Sequence, residues 1–397
     1  MRVFFVTSLM CLPITGHAET ISTEIGQSGL KVTEARLAAL PNPTNADNFA
    51  LGGVRFLATL EHALQVRWAS GISDSTGMLP FLRVPIGENP NPAAFDPAAI
   101  AGLFRDISTQ LDAARAPLAK IPPTADFGVE IAFRDIWFDI NANATRDIGE
   151  NMIEVLGPTI MGWQWDNRDP ATPAPVVRFD AADAVWLSAY THLLGGFCDT
   201  LLAYDPTTAI TKIASAKTAM AALDPSYNGA NAEFDIASAV DLIATIADAL
   251  NQSPDTARLT SAHTHFLAMV ADNRSFWDRV ERETDNNREW LPNDRQKSAL
   301  GIELPPGTGK QWLAVLSDAE AVLNGTQLVP YWRIGPAGGV NLGRMFTDPA
   351  PIDLVGWIQG WGALPYLEHG PSMSTQNWTT FEAMLSGESM LFSLYLN

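Results

Sequence analysis

The chain has 397 residues, of which 47% are hydrophobic and 17% charged, and a formal net charge of -19 at pH 7. That length can bury a substantial core as one large domain or two lobes, and the composition excludes a disordered chain. So negative a surface repels phosphate backbones and anionic lipid, which argues against nucleic-acid partners and against membrane insertion.

Arg2, the apolar run "VFFVTSLMCLPI" and the small residues Gly16 and Ala18 read as an export signal over residues 1–18, cut before Glu19. The run is too short to span a bilayer, and Met10 before Cys11 is too bulky for a lipoprotein cleavage site. The expected location is therefore periplasmic or extracellular. Losing Arg2 and no acid takes the charge from -19 to -20 and leaves Cys198 without a disulfide partner, so core packing or a metal must hold the mature chain, residues 19–397.

Residues 19–46 read as polar and irregular, ending in "LPNPTNADN". From Phe49 to Trp68 apolar residues recur at helical spacing, with Leu51, Val54, Leu57, Leu60 (or Phe56), Leu64 and Trp68 on one side. After a proline-rich loop, Asp96 and Pro97 mark a helix start, with Ile100, Phe104, Ile107, Leu111 and Leu118 as its buried stripe. The segment "GVEIAFRDIWF" suits a helix or a strand. "RDPATPAPVVRF", residues 168–179, is the best internal linker and a boundary for two lobes. Asp180 then caps a strong helix, with Asp183 three residues on, and further helices are expected at about 208–223, 233–251, 255–284 and 309–324. Strand signals are weak, mainly "TQLVPYWRI". The expected fold is mainly α, with helices packed pairwise in one large domain or two lobes and few short strands.

One stretch carries a specific chemical pattern. In "DINANATRDIGE", Asp139, Asn141, Asn143, Thr145, Asp147 and Glu150 occupy positions 1, 3, 5, 7, 9 and 12 of a twelve-residue loop. One hard cation takes six to eight oxygens, which alternate residues of a tight loop can supply. The stretch resembles an EF-hand or dockerin-type calcium loop. The resemblance implies calcium as a structural cofactor, with side-chain oxygens from five of these residues, the Thr145 carbonyl, and Glu150 supplying two oxygens. The loop departs from that pattern at Ala144, where position 6 favours glycine, and at Arg146, where position 8 is aliphatic in paired hands. A metal-free polar turn is the alternative, since Asn, Asp and Thr also favour turns by themselves. No second loop accompanies it, so a staple is expected rather than a calcium sensor.

Other stretches weigh less. "PPGTGKQW", residues 305–312, has Leu304 and Gln311 where a phosphate loop needs Gly and Ser or Thr, and reads as a helix entry. His263 and His265 would point about 200° apart on a helix and could not share one ion, while His62, His192 and His369 stand alone in the sequence. In "GWQWDNRDP", Trp163 and Trp165 could stack on sugar rings beside Asp166, Arg168 and Asp169, but cleavage would need a facing carboxylate, such as Asp180 or Asp183. The tryptophans serve equally as core anchors. Near the C-terminus, Gly-, Trp- and Tyr-rich stretches with Arg333 and Arg344 could frame a pocket or simply cap the helices. The resulting expectation is an exported soluble protein with a calcium staple and a binding or structural role. The alternative is a hydrolase or lyase acting on a polysaccharide or cell-envelope substrate, with a glycan as ligand.

Overall fold

Burial of apolar helix faces against one another organises the chain. The computed structural model describes residues 20–72, 82, 84–161, 167, 169, 172–223 and 233–385. Among these residues it is mainly α: 59% helical, with twelve helices packed in pairs and two small sheets. No helix among the described residues is long and apolar enough to cross a membrane. The expected signal, residues 1–18, and the cleft residues Trp163, Trp165, Asp166 and Arg168 lie outside the described residues.

The first helix, α1 (Ile21–Ala38), replaces the irregular segment expected there. Its apolar residues form no continuous stripe because Gly29 interrupts the helix at φ 77°, which shifts the phase between Ile25 and Leu30. The interruption lets Trp137 pack: a Cβ on Gly29 would stand 3.1 Å from its ring, and its indole N–H donates to the Ile25 carbonyl. Helix α2 (Asn45–Ser70) opens with a Thr44–Asp47 capping box and packs on α1 and on α3 (Ala98–Leu118). As the sequence suggests, Asp96 accepts the Ala98 N–H at the entry to α3.

The ambiguous segment before the loop becomes strand β1 (Val129–Ala132), followed by a 3-10 turn at Phe133–Asp135. β1 pairs antiparallel with β2 (Val176–Phe179), placing Val129 opposite Phe179 and Ala132 opposite Val176. The loop Asp139–Glu150 and α4 (Met152–Met161) lie in the connection between these strands. α5 (Ala181–Ala203) starts with the expected Asp180–Asp183 capping box and lies along α8 (Thr256–Val280). Between them in sequence, α6 (Thr207–Leu223) and α7 (Glu233–Leu250) form a pair joined by the ion pairs Lys212–Asp248 and Lys217–Asp241. α9 (Thr308–Leu323) packs against α8 and α12 (Gln376–Met384).

One buried cluster unites residues on both sides of the 168–179 linker, among them Phe104, Leu111, Phe138, Trp186, Phe276 and Trp312. A smaller one, around Tyr331, Val340, Ala363 and Tyr366, supports the C-terminal region. There β3 (Val329–Pro330), β4 (Gly338–Val340) and β5 (Leu367–His369) form an antiparallel sheet in that order, with α10 (Leu342–Thr347) and α11 (Leu354–Gln359) alongside. Only two residues of "TQLVPYWRI" are strand.

Candidate metal site

The loop is anchored at both ends before any cation is considered. Trp137 and Asn151 form an isolated antiparallel bridge, the Phe138 N–H donates to the Glu150 carbonyl, and the Met152 N–H donates to the Ile136 carbonyl. α2 grips the first loop residue from outside: Glu61 Oε2 accepts the Asp139 N–H at 2.8 Å and Gln65 Nε2 donates to the Asp139 carbonyl at 2.8 Å. The entry and exit strands of the loop are thus fixed to each other and to the core.

Inside, the backbone curls around the Asp139 carboxylate, which accepts the N–H groups of Asn143 at 2.9 Å and Ala144 at 3.0 Å. Ala144 takes the left-handed conformation, φ 60°, that position 6 requires, so alanine serves where glycine was expected. Holding an L-residue there costs roughly 1 to 2 kcal/mol, which the two hydrogen bonds to Asp139 offset. Arg146 turns away from the loop interior and donates to the Arg134 carbonyl at 2.6 Å. The neighbouring Ile148 is fully exposed, and no second loop pairs with this one among the described residues.

Glu150 sits at the base, 4% exposed, with Oε1 accepting the Ile140 N–H and Oε2 accepting the Asp147 N–H. Asp147 Oδ2 in turn accepts the side-chain amides of Asn141 and Asn143, each at 2.8 Å. The amide oxygens of Asn141 and Asn143 accept the backbone N–H groups of Asn143 and Thr145. The six expected residues therefore share one loop, five of them through side chains and Thr145 through its backbone.

This donor set fits a hard cation: three carboxylates, two amide oxygens and the Thr145 carbonyl offer only oxygen. Among the described residues no three His, Cys, Asp or Glu side chains converge enough to hold a metal by themselves. A loop of this kind draws half its donors from amides and a carbonyl, so its acids need not converge. The electrostatics also suit a cation. None of Glu61, Asp139, Asp147 and Glu150 has a Lys or Arg at ion-pair distance among the described residues. Burial pushes the Glu61 carboxyl up to about 7; the Asp139 N–H and Lys31 oppose the rise, while the charges of Asp139 and Glu150 add to it. Glu61 was not legible as part of the site, because it lies 78 residues earlier in the chain.

The other sequence candidates have structural partners. Gly307 in "PPGTGKQW" directs its N–H at the Asp294 carboxylate, and α9 begins one residue later, so the stretch is a helix entry. Arg333 stacks over Trp332 and donates to the Ile358 carbonyl, while Arg344 pairs with Asp348 and Glu368. Those cations pin the C-terminal region to itself. His263 and His265 do diverge: the first bonds the Leu323 carbonyl, the second meets His192 across the α5–α8 interface.

Asp180 and Asp183 act as caps rather than as a carboxylate pair facing a cleft. Burial raises both; the Asp180 charge adds to the rise of Asp183, while the Ala182 and Asp183 N–H groups and Arg178 oppose the rise of Asp180. Nearby, burial, aided by Asp180, pushes Glu283 up to about 7, although Gln296 donates to it. A carboxyl whose folded pKa is raised stabilises the fold below its unfolded value, and that contribution is lost as pH rises through about 7. Glu283→Gln should therefore stabilise the protein at pH 8, by roughly 1 kcal/mol after allowance for solvent screening, and leave it unchanged at pH 4.5. Urea unfolding at the two pH values checks this; equal effects at both would remove Glu283 as the titrating group.

Comparison with protein-family models, with curated proteins and with solved structures yields no match for this chain.

Proposed function

We propose that Asp139–Glu150 is a structural calcium loop that staples the β1–α4 crossover onto α2, in an exported protein with a binding or structural role. The observation that carries this reading is the set of six oxygen-bearing residues sharing one anchored loop, with Glu61 beside it. Glu61 is largely buried and feels the charges of Asp139 and Glu150, and none of the three has a basic side chain at ion-pair distance among the described residues. Grouped acids repel one another where water does not screen them, and a divalent cation held by oxygens relieves that repulsion. Calcium would supply charge neutralisation and cross-linking only. The chain's own residues hold the loop: Glu61 and Gln65 fix Asp139, and Asp139 fixes the turn at Ala144. Because this loop has no paired loop among the described residues and is joined to the core at both ends, stapling suits it better than the opening motion of a sensor. The polysaccharide-cleaving alternative is less favoured, since Asp180 and Asp183 are engaged as helix caps.

The test is thermal unfolding of the full chain, stripped with a chelator and titrated with calcium to about 10 mM, with magnesium in parallel. A ligand bound only to the folded state adds about 2.7 kcal/mol at one hundred times its Kd, so Tm should climb by several degrees with calcium. Asp139→Ala should abolish the climb. A flat Tm over the whole range would make the loop a polar turn and remove calcium from the protein's account.

A further inference from the structure

The α5–α8 interface is close because α5 presents Gly195 and Gly196 to it. A Cβ at Gly195 would lie 3.1 Å from His265 Cε1, and one at Gly196 would lie 2.6 Å from Phe266 Cε1. Beside these glycines, His192 Nδ1 stands 2.8 Å from His265 Nδ1. Two imidazole nitrogens at that distance require a single proton between them. Two bare nitrogens would oppose lone pairs, and two N–H groups would oppose hydrogens. Asp199 indicates which ring donates. Its Oδ2 is 3.9 Å from His265 Nε2, which favours a proton on that nitrogen and leaves His265 Nδ1 bare. His192 is then the Nδ1–H donor.

We propose that His192 and His265 form an acid-labile clasp between α5 and α8, a hydrogen bond between neutral rings that full protonation replaces with two cations in contact. One added proton still leaves one bare Nδ1, so the bond survives: protonation of His192 at Nε2 keeps its direction, and protonation of His265 reverses it. The second proton removes the last acceptor. The surrounding charges make that second proton costly. Arg115 reaches in from α3, donating to the Thr191 carbonyl and paired with Asp112. Asp199 on α5 is the nearest acid, but Arg258 on α8 already engages it at 2.6 Å. Asp272 on α8, bonded by Ser188, interacts with Arg115 and Arg279. Burial, reinforced by Arg115 and then by His265, lowers His192 to about 3; burial and Arg115 also lower His265, with Asp199 opposing. A histidine with a depressed folded pKa contributes stability that is complete above about 6.5, its unfolded value, and declines as pH falls toward the folded value. Glu61 and Glu283 carry the opposite sign over the same interval, so a whole-protein melting curve alone does not isolate the clasp.

Long-range proton–nitrogen correlation spectra of the full chain, with histidine labelled in 15N, read the tautomers directly from pH 8 to 4. His192 should appear as Nδ1–H and His265 as Nε2–H, both neutral at pH 5.5, where a histidine peptide control is mostly charged. Urea unfolding over the same range, wild type against His265→Asn, reads the linkage. Asparagine keeps an acceptor oxygen near the Nδ1 position without titrating. The wild type should lose up to tenfold per pH unit in its folding constant relative to the variant below pH 6.5. Two Nε2–H rings that titrate with the control, or parallel pH slopes in the two proteins, would overturn the clasp. Should His265→Asn fail to fold, the wild-type spectra decide alone.

Discussion

Arg258→Ala is expected to cost about 3 kcal/mol of stability, the low end of the range for removing one partner of a buried ion pair. Arg258 Nη1 lies 2.6 Å from Asp199 Oδ1, and the Asp199 side chain is 3% exposed while that of Arg258 is 34% exposed. Truncating the arginine leaves a carboxylate in an apolar helix interface beside Cys198, whose thiol burial, aided by the Asp199 charge, already pushes up to about 12. Solvent at the Arg258 end tempers the penalty, which is why the low end applies. Asp199→Asn should cost less, about 1 kcal/mol, because the freed guanidinium can reach water. In the double variant Arg258→Ala with Asp199→Asn, much of the arginine penalty should vanish, since no charge is left stranded. Urea midpoints of the four proteins at pH 7.5 measure the cycle. A loss below 1 kcal/mol for Arg258→Ala would mean that Asp199 finds another partner or water.

Glu150→Ala should be nearly as damaging, at about 2 to 4 kcal/mol, and should be so even in chelator. The carboxylate satisfies two backbone donors, Ile140 N–H and Asp147 N–H, and the Ile140 residue is itself buried. Each buried donor left bare costs about 1 to 3 kcal/mol. Glu150→Gln should fall between the two, since its single carbonyl oxygen can keep one of the two bonds. Calcium separates this structural role from metal binding: the wild type should gain stability with added calcium and Glu150→Ala should not. If Glu150→Ala unfolds at the same urea concentration as the wild type in chelator, the loop does not depend on its base acid.

Much of the helical layout was legible because it depends on local patterns. The caps at Asp96 and Asp180 and the apolar stripes of α2 and α3 are written in neighbouring residues, and α6, α7, α8 and α9 begin and end within a few positions of the expected bounds. α1 was not legible, since Gly29 breaks its period to admit Trp137, a residue more than one hundred positions away. The C-terminal sheet was legible only as the weak strand signal that contains β3. Its strands are two or three residues long, and their glycines are selected by neighbouring backbone rather than by alternation.

For the candidate site, the sequence by itself determined the order of oxygen-bearing residues from Asp139 to Glu150, because spacing in a short loop is a local property. It also determined that His263 and His265 diverge, since two residues along a helix cannot face the same way. Tertiary structure alone decided that α2 would supply Glu61 and Gln65 to the loop and that His265 would meet His192. Each of these joins residues on separate elements. Such pairings depend on which apolar faces are buried together, and no short stretch of sequence encodes that.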